Sequence, residues 1–101
     1  MSQFLLAPAA RSDILEIWNY YASEVGNAEL ADRMRDEIFK GIRAAARKPG
    51  IGHLRHDLAD ESLRFWRVRK YLIIYRSQSK PIQVVRVLHG ARDVHALLGE
   101  G

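Results

Sequence analysis

Three runs in the second half of the chain most constrain its fold. Residues 63–69 (LRFWRVR), 71–76 (YLIIYR) and 82–89 (IQVVRVLH) are dense in β-branched, aromatic and aliphatic side chains. The connections between them, Arg69-Lys70 and residues 77–81, are far shorter than the dozen or so residues that a parallel crossover needs. The three strands must therefore run as an antiparallel meander. Residues 71–76 are nearly all apolar or aromatic, as a central strand requires.

Upstream, residues 3–7 form a short apolar run bounded by Pro8 and read as a first strand. Pro8 suits the first position of a helix, and Ser12-Asp13 offers a second possible start. Ile14, Ile17, Trp18, Tyr21 and Val25 then recur at helical spacing. Gly26 is a natural helix terminator and Asn27 a natural N-cap, so Gly26-Asn27 is the turn of a helical hairpin. The second helix spans residues 28–47, with Ala31, Met34, Ile38, Ile42 and Ala45 as its apolar stripe. Its acids (Asp32, Asp36, Glu37) come early and its bases (Lys40, Arg43, Arg47, Lys48) late, which complements the helix dipole. Residues 48–50 (KPG) end it. Residues 51–61 read as a loop with one extended stretch around 53–55. Gly90 breaks the last strand, and Asp93 can cap a short terminal helix through Leu97 and Leu98, with Arg86 as a candidate ion-pair partner. The expectation is a two-layer α+β domain: N-terminal strand, α-helical hairpin, three-stranded antiparallel meander and short C-terminal helix. At 101 residues, all of it fits in a single domain, residues 1–101.

Charge is unevenly placed. The net charge is +4. Residues 1–30 hold one basic residue and four acidic ones, whereas residues 61–101 hold eight basic and three acidic, mostly Arg. Arginine pairs bidentately with carboxylates and phosphates and stacks on rings, so an anionic partner is expected, either nucleic acid or an acidic protein segment. There is no cysteine, which removes disulfides, thiolate nucleophiles and cysteine zinc sites. His53, His56, His89 and His95 lack metal-ligand spacing, and no phosphate-binding glycine motif is present. No metal or cofactor is expected. No apolar run approaches the roughly 18 residues of a membrane span, and the N-terminus has no basic signal region, so a cytoplasmic location away from membranes is the expectation. Arg64, Trp66, Tyr71, Tyr75, Arg76 and Arg86 interleave cations with rings, as a surface that stacks bases and touches phosphates would. Tyr71 and Tyr75 are equally suited to fill the core.

Four segments, in this order, resemble the ParE-type toxins of the RelE/ParE superfamily from type II toxin–antitoxin modules: FLLAPAARSDILEIWNYYA (residues 4–22), GHLRHDL (52–58), LRFWRVRKYLIIYR (63–76) and RVLHGARD (86–93). The resemblance implies a toxin that inhibits DNA gyrase by binding rather than by catalysis. It also implies neutralisation by a ParD-like antitoxin whose tail wraps the hairpin and sheet. DNA would be reached only through antitoxin or gyrase. The RelE branch of the superfamily, ribosome-dependent mRNA endonucleases, is the alternative. Only four lysines are present (Lys40, Lys48, Lys70, Lys80), and residues 91–101 lack a terminal Tyr or His after a basic strand, so the ParE branch fits better. No catalytic residue is expected. Trp66, Arg76, Arg92 and His95 are the candidate target-binding residues. Ile14, Trp18, Arg64, Arg67, Arg69 and Arg76 are the candidate antitoxin-binding residues.

Overall fold

A computed structural model describes residues 3–54 and 62–93. Strand β1 (Phe4–Leu6) leads through Ala7 into helix α1 (Pro8–Asn19), with Pro8 at its first turn. Helix α1 thus starts at Pro8 and not at Ser12-Asp13. Its last turn widens into a π-helical segment, Tyr20–Glu24. Gly26 then takes a left-handed φ of 78°, and the Asn27 side chain accepts a hydrogen bond from the Leu30 amide at 3.0 Å. Helix α2 (Ala28–Arg47) follows, and a 3-10 turn, Pro49–Ile51, stops it. Strand β2 (His53–Leu54) is the extended stretch expected within the loop. Strands β3 (Leu63–Val68), β4 (Tyr71–Arg76) and β5 (Ile82–His89) make the meander. The terminal helix expected through Leu98 lies outside the described residues.

Among those residues the sheet has five strands in the order β1-β5-β4-β3-β2. The meander is antiparallel, but β1 pairs parallel with β5, with Phe4 opposite Ile82 and Leu6 opposite Val84. The sheet is therefore mixed, which the short connections alone do not reveal. The chain passes through both helices and strands β2 to β4 before β5 comes to lie beside β1.

Strand alternation divides the side chains by face. Tyr71, Ile73 and Tyr75 of β4 pack with Ile14, Ile38, Ile42 and Ala45 of the helices and with Val84 and Val87 of β5. Tyr75 is fully buried, so its hydroxyl needs partners. It donates to the Pro49 carbonyl at 2.7 Å and accepts from the Gly52 amide at 2.9 Å. The ring thereby pins the turn after α2 to the sheet. Phe65, Ile74 and Leu88, on the opposite face, form a second buried cluster flanked by Leu63 and Leu72. Both faces of the sheet thus carry apolar layers.

Close packing of α2 on the sheet depends on Gly41. A Cβ there would collide with Val68 Cγ2 and lie 3.2 Å from Ile73 Cδ1. The β3–β4 turn puts a non-glycine residue, Arg69, at φ 57°, which costs on the order of 1 kcal/mol.

Candidate functional site

The pairing of β1 with β5 stops at Val84, where the Ala7 amide donates to the Val84 carbonyl at 2.9 Å. Beyond that point the outer edge of β5 needs another partner. Asp13 of α1 supplies it. Its carboxylate accepts from the Val87 amide at 2.9 Å and from the Arg86 guanidinium at 2.7 and 2.9 Å. A buried carboxylate is tolerated here because three donors converge on it. The hydrogen bonds that Arg86 donates to Asp13, reinforced by the carboxylate's charge, hold its guanidinium firmly protonated.

Next to this pair lies a cleft of about 500 Å³ between α1, the π-turn and the ends of β4 and β5. Glu16, Tyr20, Tyr21, Lys70, Tyr71 and Arg92 line its mouth and walls. The π-turn brings two successive tyrosines to it. The rings of Tyr20 and Tyr21 meet edge-to-face at 5.1 Å, and the Tyr21 and Tyr71 hydroxyls are 3.3 Å apart. Burial, then the Tyr21 contact, pushes the Tyr71 phenol far above its ordinary pKa.

The segment after β5 closes the cleft. His89 stacks edge-on against Tyr71 at 5.8 Å. Its Nδ1 accepts from the Arg92 amide at 3.1 Å, and its own amide donates to Asp93 at 3.0 Å. The Arg92 guanidinium bonds Asp93 at 3.0 Å. That hydrogen bond is the main reason the Asp93 carboxyl lies below its usual range. Asp93 is therefore paired with Arg92, and Arg86 with Asp13. The expected Arg86–Asp93 pair does not form, because Asp13 reaches Arg86 first from α1.

The candidate residues fall in different places. Ile14 is 6% exposed inside the core, so it presents no surface to a partner. Trp18 is half-buried and donates its indole N–H to Asp32 at 2.9 Å, tying α1 to α2. Arg64 bonds the Gly52 carbonyl at 2.8 Å and Ser77 Oγ at 3.2 Å, so it clamps the turn beside Tyr75. Trp66 packs against the core on the helix side. Arg67 and Arg76 lie on the opposite face, Arg67 bonding the Arg69 carbonyl and Arg76 the Ser62 hydroxyl. Arg69, in the β3–β4 turn, is 3.8 Å from Glu37. Arg92 is at the cleft, and His95 lies outside the described residues. The six arginines and rings singled out in the sequence are thus split between two faces. Asp13, Tyr20 and Tyr21 are the residues that the sequence pattern hides. Asp13 reads as a helix start, and the π-turn shifts the tyrosines out of helical register. Among the described residues, no three His, Cys, Asp or Glu side chains cluster as a metal site would require.

A family model described as "ParE toxin of type II toxin-antitoxin system, parDE" matches residues 4–94. The chain belongs to the ParE toxin family. A curated relative, Toxin ParE1 of Caulobacter vibrioides, is 30% identical over 103 residues, which cover 98% of this chain and 100% of that protein. A solved structure described as "Chromosomal ParDE TA system from P. aeruginosa" superposes with a TM-score of 0.72 at 19% identity, covering 88% of this chain and 96% of that one. It shares the fold. The Asp13–Arg86 pair and the cleft beside it thus belong to a ParE toxin of a type II toxin–antitoxin system. No helix among the described residues of this toxin is long and apolar enough to cross a membrane.

Proposed function

We propose that this ParE toxin arrests growth by binding DNA gyrase and that a ParD-like antitoxin neutralises it. The family match over residues 4–94 carries the reading. The chemistry of the cleft agrees with it. The arginines Arg86 and Arg92 there are already engaged by Asp13 and Asp93. Such a cleft is suited to rigid recognition. The cytoplasm, where gyrase works, is the site of action on this reading.

Exposed apolar surface supports a seat for the antitoxin on α1. Leu15 is 59% exposed and Val25 47%, and Trp18 lies between them along α1 and its extension. An amphipathic antitoxin segment would anchor on these three residues. Its acidic groups would meet Arg67 and Arg69 and, together with Arg76, fix register and speed encounter. Trp66, Arg76, Arg92 and His95 remain the proposed contacts to the target.

Induction of the chain without antitoxin tests the reading, paired with a supercoiling assay on purified gyrase. Filamentation, an SOS response and lost supercoiling are expected. Transcript cleavage on translating ribosomes with supercoiling intact would show the endonuclease alternative to be correct.

A further inference from the structure

We propose that the C-terminal half of α2 binds the phosphate backbone of duplex DNA directly, through Lys40, Arg43, Arg47 and Lys48. All four are exposed. Lys40, Arg43 and Arg47 recur at i, i+3 and i+7, on the side of the helix opposite the buried Ile38, Ile42 and Ala45. From Lys40 to Lys48 the helix advances about 12 Å, which matches about three or four phosphates of one DNA strand.

Neither of two ordinary explanations accounts for the whole stripe. The dipole favours cations chiefly within the last turn, so of the four bases that complement it in the sequence pattern it accounts for Arg47 and, at the C-cap, Lys48. Lys40 and Arg43 lie further back. Nor do they neutralise acids, because among the described residues no carboxylate pairs with any of the four. The acids of α2 stand in its first half, where Asp32 pairs with Arg35 and Glu37 faces Arg69.

The chemistry of the face also selects the partner. A protein ligand draws most of its affinity from buried apolar anchors. Among the described residues the exposed large apolar side chains are Leu5, Leu15, Tyr20, Val25 and Leu54, and none is on this half of α2. A surface of evenly spaced cations without an apolar anchor fits a regular polyanion whose outside is phosphate. It would hold DNA without reading sequence. This departs from the expectation that DNA is reached only through gyrase or antitoxin, and it stands independently of the gyrase reading.

Fluorescence anisotropy of the purified full chain with a labelled duplex oligonucleotide tests it, with an acidic peptide of matched charge as competitor. For four phosphate contacts the log–log salt slope should be about −3.6, so affinity should fall about 150-fold between 50 and 200 mM salt. Each single change, Lys40→Gln, Arg43→Gln or Arg47→Gln, should reduce the slope by about 0.9. The triple variant should lose only about fourfold over that range. Lys80→Gln, in the β4–β5 turn, should leave the slope unchanged. Circular dichroism melts should coincide, since the side chains are exposed. Wild-type protein without salt-dependent duplex binding, a triple variant with the full slope, or an acidic peptide that outcompetes duplex would each overturn the proposal. Tight duplex binding by a protein that leaves supercoiling untouched would instead overturn the gyrase reading alone.

Discussion

Asp13 and Arg86 are 73 positions apart, yet they meet in a two-point ion pair that also captures the Val87 amide. The pair does for the lower part of β5 what β1 does for the upper part: it satisfies an open strand edge. Asp13→Ala leaves the Val87 amide and a half-exposed guanidinium without their acceptor. Because Arg86 retains access to water, the loss should be about 2 kcal/mol rather than the larger value of a fully buried pair. Urea denaturation measures it, and a midpoint equal to wild type would refute the structural role.

Tyr75→Phe removes one oxygen and strands two backbone groups, the Pro49 carbonyl and the Gly52 amide. The expected cost is about 1–3 kcal/mol. Amide exchange at Gly52 should accelerate more than exchange in α2. A uniform change across the molecule would mean that the hydroxyl does not hold this turn specifically.

Gly41→Ala sets two effects against each other. Alanine in a helix interior gains about 1 kcal/mol over glycine. The added methyl meets Val68 Cγ2 and Ile73 Cδ1, and overpacking of this kind costs about 1–3 kcal/mol. The clash should win, and thermal melts should show a lower Tm. A higher Tm would mean that β3 yields readily.

The depressed Asp93 carboxyl makes a signed prediction. A folded pKa below the unfolded one adds stability above the unfolded value of about 4, and that stability is lost as pH falls through the folded pKa. Asp93→Asn should therefore be less stable than wild type at pH 7, with the difference closing in strong acid. Parallel melts from pH 7 downward check this. A constant gap at every pH would assign the effect to something other than the charge.

Tyr71 makes the opposite prediction at alkaline pH. Its folded pKa is raised, so folded and unfolded chains hold equal protons there until the unfolded phenol ionises near 10. Above that, stability falls as pH rises. Tyr71→Phe should flatten this alkaline decline. Ultraviolet titration of tyrosinate should show Tyr71 ionising only as the fold opens.

Much of this fold was legible in the sequence because it follows local rules. Asn27 caps α2, Gly26 ends the first helical segment, and the stripe from Ala31 to Ala45 faces the core. What stayed hidden is non-local. Residues 3–7 read as a strand, but nothing near Phe4 announces that its neighbour is Ile82. Tyr20 and Tyr21 carry no sign of a π-turn, and Asp13 has the composition of a helix start while serving a strand 73 residues away. The basic residues were visible as a count, and only their distribution over two sheet faces and one helix separates clamps such as Arg64 from open surface.

The parallel seam between Phe4–Leu6 and Ile82–Val84 has a consequence for synthesis. Phe4–Leu6 can pair only once Ile82–Val84 has left the ribosome, so this seam closes after both helices and strands β3 and β4 have been made. A chain interrupted before Ile82 lacks the strand against which Phe4–Leu6 pairs and leaves that strand's edge open.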